Sequence, residues 1–171
     1  QGGDELSNDQ LHFVIVHQSF ELWFKLIISE LRCVRDVLDQ TLVPEAEVPT
    51  AVHHMDRVTE IFRLMAHQWT VMGTLTPQHF LTFRAGLGTA SGFESFQMRE
   101  LEIMLGLPDS DRVAEMDPLA HFRKLAERSE RDAEILARLE ATAAAPSLAA
   151  SLMRWLSRTP IQGSLAGDEG D

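Results

Sequence analysis

The sequence predicts an all-α fold, a bundle of long antiparallel helices. Over long stretches, apolar residues recur at spacings of three and four, the periodicity of a helix with a buried face. Serine, threonine and proline stand at the starts of these stretches, as they do at helix N-termini. No stretch alternates apolar and polar residues as a strand does, and the chain has no tyrosine and few β-branched runs.

The first helix is predicted to begin after a cap at Ser7 and to run to about Asp39. Gln10 follows Ser7 by three residues, which is the spacing of a capping box. Apolar residues spread more than halfway round this helix. We therefore expect it to lie buried between several other helices.

One face of this helix carries a histidine among aromatic rings. Phe13, His17, Phe20 and Phe24 recur at spacings of three and four, so they share that face. The pattern places His17 on the buried side of the helix. By itself it fits either a core histidine with one satisfied hydrogen bond or a functional residue.

The remaining helices follow from their caps and apolar spacing. Residues 42–50, with two prolines, are expected to form a loop, and residues 86–92 a loop of small residues. After residue 108 the character changes, and charged side chains surround a narrow apolar stripe. The predicted helices span residues 51–74, 77–84, 93–105, 119–141 and 146–158.

Composition and charge narrow the class of protein. A net charge of −11 disfavours nucleic acid and anionic membranes as partners. Glu21, Lys25, Glu30 and Arg32 interrupt the longest apolar run, so no membrane-spanning segment is expected. The single cysteine, Cys33, rules out an internal disulfide and fits a reducing compartment, so we expect a cytoplasmic protein.

The two ends of the sequence resemble cut points within a longer polypeptide. The chain opens at Gln1 without an initiator methionine, and residues 163–171 have the composition of a loop. We expect a helical core over residues 4–107 and a charged helical extension of the same domain over 108–158. Residues 159–171 are expected to form a loop or flexible tail.

Most kinds of catalytic site lack support in the residues. None of the seven histidines stands in a Glu-x-x-His pair or four residues from another histidine, so no protein-ligated metal is predicted. The glycine-rich loop lacks the features of a nucleophile elbow or a phosphate loop. What remains is Arg84 just before that loop, which could hold a carboxylate or simply cap its helix.

Three segments together resemble the haem-dependent tryptophan 2,3-dioxygenase family. They are residues 17–25 (HQSFELWFK), residues 74–77 (TLTP) with Phe83 and Arg84, and residues 90–95 (ASGFES). The resemblance covers about residues 4–107 and is weak beyond. It implies an all-helical haem b enzyme, a homo-oligomer (usually a tetramer, otherwise a dimer). The implied reaction inserts both atoms of O2 across the C2–C3 bond of the L-tryptophan indole and gives N-formylkynurenine.

The resemblance also implies roles for individual residues. His17 matches the distal histidine that hydrogen-bonds the indole N–H, and Phe13 matches the aromatic residue that packs on the indole. Arg84 matches the arginine that holds the substrate carboxylate, and Phe80 stands where members carry a Tyr or Phe beside that carboxylate. The residues that match the loop over the haem edge and propionates are Leu87, Ala90, Ser91 and Gly92.

The sequence departs from the family pattern in ways that leave two alternatives open. The family's proximal histidine and a Gly-Thr-Gly-Gly segment lie beyond Asp171, the Tyr-bearing N-terminal segment is absent, and Glu94 replaces a common Gln. A relative with this pocket could insert one oxygen at indole C2 of tryptophan or a modified tryptophan. The chain could also be a non-catalytic helical oligomerisation module.

Overall fold

The structure, a computed structural model, describes residues 6–87, 94–107 and 119–159, and it confirms the all-α prediction. Within these ranges there is no strand. Short 3-10 turns at Glu45–Glu47 and Ala85–Leu87 flank two of the helices. The helices are α1 (Asn8–Leu38), α2 (Val48–Met72), α3 (Pro77–Arg84), α4 (Phe96–Leu105), α5 (Ala120–Ala126), α6 (Glu130–Ala144) and α7 (Leu148–Arg158).

The two longest helices, α1 and α2, form the antiparallel pair that supports the rest. Ser19 of α1 bonds with Gln68 near the end of α2, whereas Glu30 contacts Arg57 near its beginning. Contacts that step forward along α1 therefore step backward along α2. At 31 and 25 residues these are the long helices that the sequence predicts, while α3 to α7 have 7 to 15 residues.

Local capping chemistry explains where several helices begin and end. The hydroxyl of Ser7 accepts the N–H of Gln10 at 3.2 Å, and Thr76 caps α3 in the same way. Gly106 ends α4 with a φ of 81°, a left-handed conformation that disfavours side chains. A Cβ there would also lie 2.5 Å from Ser147 Oγ, so α7 packs where only glycine fits.

Several predicted boundaries differ from the structure, three of them by the position of a cap or a proline. α2 begins at Val48, three residues before the predicted start, because Pro49 falls in the first helical turn, where its missing N–H costs nothing. α4 begins at Phe96, after a cap at Ser95. The predicted helix over residues 119–141 is two helices, α5 and α6, since Ser129 turns out of the helix and accepts the N–H of Asp132.

The hydrophobic core lies against the C-terminal half of α1. Ile27, Ile28 and Leu31 are fully buried there, between residues of α2, α4 and α7. A second cluster, around Phe122 and Leu139, joins α5 and α6 and contacts α4. The prediction of an α1 buried between several helices therefore holds for its C-terminal half only.

By length and composition α1 could cross a membrane, contrary to the expectation from its charged residues. No other helix in the described part of the chain meets that test. Ile27, Ile28 and Leu31 on α1 pack inside the protein.

Candidate functional site

A large cavity opens between the N-terminal half of α1 and helices α2, α3 and α4. Its volume is about 1180 Å³, above the range of about 300–1,000 Å³ that is usual for a small-molecule site. Such a volume has room for a large flat group together with a small molecule. The apolar residues of its wall include Phe20, Phe24, Phe62, Met65, Trp69, Met72, Phe96 and Leu101.

The structure brings the sequence-predicted site residues together on this cavity. Phe13 and His17 of α1, Phe80 and Arg84 of α3, and Leu87 just after α3 all line its wall. The predicted loop residues Ala90, Ser91 and Gly92 lie outside the described residues. His17 and Arg84, which are 67 positions apart in the sequence, thus line the same cavity.

His17 has a hydrogen bond that determines which ring nitrogen can accept. Its Nδ1 lies 2.8 Å from the carbonyl oxygen of Phe13. A carbonyl only accepts, so in the neutral ring Nδ1 carries the hydrogen and Nε2 keeps a lone pair. Of the seven histidines, His17 alone lines the cavity. Its ring is exposed and not buried as predicted, because the cavity is open on one side.

Three phenylalanine rings hold α3 against α1. The centroid of Phe13 lies 5.4 Å from that of Phe80 and 5.7 Å from that of Phe83, and the Phe80 and Phe83 rings meet edge to face. Phe83 is buried, so it anchors the short helix. Arg84, the last residue of α3, is thereby placed on the cavity wall, one helical turn from Phe80.

Polar residues without a predicted role also lie at or next to the cavity. Gln97 of α4 donates from Nε2 to the carbonyl oxygen of Glu21 at 2.9 Å and to its Oε2 at 2.7 Å. Glu21 lines the cavity, as do Glu94 and Glu102 of the α4 side. The signal for Glu21 was present, because it follows His17 by four residues and so shares its helix face. The contacts that α1 makes with α2 and α4 have no comparable signal in the nearby sequence.

A protein-ligated metal cluster is not formed by the described residues. Within them, no three histidine, cysteine, aspartate or glutamate side chains converge closely enough to hold an ion. Among the described residues, the cavity wall carries one acceptor histidine, one arginine and three carboxylates on an apolar aromatic surface. This arrangement suits an aromatic molecule with polar ends.

Comparison with known proteins extends the resemblance along most of the chain. The tryptophan 2,3-dioxygenase family model matches residues 2–166, well beyond the predicted limit of about 107. Tryptophan 2,3-dioxygenase of Sorangium cellulosum is 40% identical over 170 residues, which cover 96% of this chain and 41% of that protein. Tryptophan 2,3-dioxygenase 2 of Ralstonia nicotianae is 41% identical over 165 residues (95% and 45%), and the Anopheles gambiae enzyme is 35% identical over 158 residues (92% and 39%). The chain spans less than half the length of these relatives, and it belongs to the tryptophan 2,3-dioxygenase family.

Proposed function

We propose that the protein oxidises the indole ring of L-tryptophan with O2 and haem b, giving N-formylkynurenine. The observation that carries the proposal is the convergence of Phe13, His17, Phe80 and Arg84 on one apolar cavity. An aromatic amino acid needs these elements: flat apolar walls, an acceptor for the indole N–H and a cation for the carboxylate. The names of the curated relatives support the same reaction.

The cavity suits one face of a haem. Its volume exceeds what tryptophan alone would need, and its aromatic wall matches an apolar macrocycle. Leu87, at the cavity edge, begins the loop proposed to cover the haem edge with Ala90, Ser91 and Gly92. Haem would supply the activation of O2, which no side chain provides. We assign no axial ligand to the chain, because His17 is proposed to lie on the substrate side.

The side chains are proposed to bind and orient the substrate. Nε2 of His17 accepts the indole N–H, since Nδ1 is already committed to the Phe13 carbonyl. Phe13 and Phe80 pack on the ring, and the Arg84 guanidinium forms a two-pronged pair with the substrate carboxylate. The apolar wall keeps water from the side of the substrate that it covers, which strengthens polar contacts on that side.

We further propose a cytoplasmic homo-oligomer, a tetramer or dimer, as in the family. Leu11, Ile15 and Leu22 are 46%, 54% and 69% exposed on α1, so an apolar surface is available for contacts with other parts of the assembly. Size-exclusion chromatography with light scattering on the full-length protein measures this directly. The molar mass of a monomer would contradict the proposed homo-oligomer.

The experiment that tests the function is a haem titration followed by product analysis. Ferric haem is added to the full-length protein, and the Soret band should saturate near one haem per chain. After a chemical reductant has brought the haem to the ferrous state, which binds O2, L-tryptophan and 18O2 should give a product with two labelled oxygen atoms. A product with one labelled oxygen would instead identify an indole C2 monooxygenase. Absence of specific haem binding would identify a non-catalytic helical module.

A further inference from the structure

The part of α1 that carries His17 is less buried than the C-terminal half of the helix. Leu11, Ile15 and Leu22 are exposed, and Val16 is the fully buried apolar residue of this part, whereas the continuous core begins at Ile27. Phe13 and Phe20 pack on rings of α3 and α2, and Phe24 packs on the core, but His17 and its neighbour Gln18 are exposed. The position of a side chain on such a segment depends on the specific contacts that tie it to its neighbours.

Ring contacts and hydrogen bonds tie this segment to each of the three other cavity helices. Phe13 packs on Phe80 and Phe83 of α3, as described above. Ser19 bonds with Gln68 of α2. Glu21 receives both hydrogen bonds of the Gln97 amide from α4, one on its main-chain oxygen and one on its carboxylate.

We propose that Gln97 is a positioning residue that acts on His17 through Glu21. The inference rests on the proposed function, because it concerns where His17 meets the indole. Glu21 lies one helical turn after His17 on the same face, and both line the cavity. The hydrogen bond to the main-chain oxygen of Glu21 holds the α1 backbone itself. The hydrogen bond to the Glu21 carboxylate prevents the Gln97 amide from rotating away from that oxygen.

The location of Gln97 explains why this tie matters for the reaction. Gln97 is in the first turn of α4, and its neighbours Phe96 and Met98 line the wall that faces His17. The Gln97–Glu21 bonds thus set the separation of two cavity walls. Catalytic side chains must be held to within about 0.5 Å, and a displacement of about 1 Å can cost about a hundredfold in rate.

The first test is Gln97→Ala in the full-length protein. We expect kcat to fall about tenfold with a change in KM for tryptophan below about twofold, because Phe80 and Arg84 bind the substrate from α3. The matched control is Gln40→Ala. It removes a similar amide–carboxylate bond, from Gln40 to Glu47 at 2.8 Å, away from the cavity, and should leave both constants unchanged.

The second test separates positioning from general destabilisation. In a His17→Ala background, Gln97→Ala should cause no further loss of kcat, since the residue through which it acts is gone. An equal loss in both backgrounds, or an unchanged kcat in the single variant, would overturn the inference.

A third readout does not depend on activity. Hydrogen exchange of the Gln97→Ala protein should be faster at the amides of residues 13–21 and unchanged at residues 27–38, where the core holds α1. If the wild type fails to oxidise tryptophan, the proposed function is wrong. The exchange measurement then still tests whether Gln97 holds the α1 backbone, because unchanged exchange at residues 13–21 would contradict it.

Discussion

At the scale of single residues, the most informative atom is Nε2 of His17. The Phe13 carbonyl occupies Nδ1, so the neutral ring has a defined acceptor on the cavity side. An indole N–H can donate but cannot accept, and the match is therefore directional. A buried indole N–H without an acceptor would carry a desolvation cost of about 1–3 kcal/mol.

Replacement of His17 with Ala should slow tryptophan turnover about 10- to 100-fold, the kinetic equivalent of an unsatisfied N–H. Haem content, measured by the Soret absorbance per chain, should stay at the wild-type value because His17 is proposed to face the substrate. With 1-methyltryptophan, which lacks the N–H, wild type and variant should turn over alike. Loss of haem in the variant would mean that His17 is the axial ligand.

Replacement of Arg84 with Ala should weaken tryptophan binding by about 2–5 kcal/mol, because a desolvated carboxylate would lose its partner. The KM for tryptophan measures the effect. Arg84→Lys should fall between wild type and Arg84→Ala, since lysine keeps the charge but not the two-pronged geometry. Tryptamine, which has no carboxylate, is the control ligand. An unchanged KM for tryptophan would refute the role of Arg84.

At the scale of elements, one buried carboxylate joins α1 to α2. Glu30 of α1 accepts hydrogen bonds from Arg57 at 2.8 and 2.9 Å and from His54 at 2.6 Å, and its side chain is 8% exposed. Burial raises the pKa of this carboxyl, but the hydrogen bonds and charges of His54 and Arg57 outweigh burial. The pKa of Glu30 therefore lies below its ordinary value of 4.5.

The lowered pKa predicts how the α1–α2 pair responds to acid. As the pH falls, Glu30 takes up a proton near pH 4.5 in the unfolded state and at a lower pH in the folded state. The stability that the charged Glu30 contributes is therefore complete above pH 4.5 and is lost as the pH falls through the folded pKa. The free energy of unfolding, from urea titrations of wild type and Glu30→Gln, should differ by a constant well above pH 4.5. The difference should shrink below it. A difference that grows in acid would contradict the assignment.

At the scale of the whole molecule, Glu100 connects the two hydrophobic clusters. Its side chain is fully buried on α4, where it pairs with Arg32 of α1 and with Arg138 of α6 at 2.7 Å. The guanidinium of Arg138 also lies 5.4 Å from the centre of the Phe96 ring, which lines the cavity. One carboxylate thus holds the core of α1, the charged helices and a cavity wall together.

Replacement of Glu100 with Ala should lower the free energy of unfolding by about 3 kcal/mol, because two arginines lose the carboxylate that compensates them. Glu100→Gln keeps the shape and should cost less. The comparison variant is Arg63→Ala, which breaks the exposed pair with Glu60 and should change stability by about 0.5 kcal/mol or less. Urea denaturation measures all three. Equal effects at Glu100 and Arg63 would show that burial of the network contributes nothing.

The sequence alone determined the features that depend on near neighbours. The caps at Ser7 and Thr76 and the glycine end at Gly106 were predictable, because each bonds within a few residues of itself. The shared face of Phe13 and His17 followed from helical periodicity. The split at Ser129 was missed, although no large apolar residue stands between Leu125 and Ile135 and although Ser129 and Asp132 have the spacing of an N-terminal cap.

Only the tertiary structure decided which residue of α4 holds the cavity side of α1. Glu21 and Gln97 are 76 positions apart, and no local pattern links an amide on α4 to a carboxylate on α1. Nor does periodicity reveal that Glu100 would be the buried member of its helix, because an isolated helix shows a charge and not its partners. Spacing along the chain determines which side chains share a helix face, whereas the packing of the helices determines which residues that face contacts.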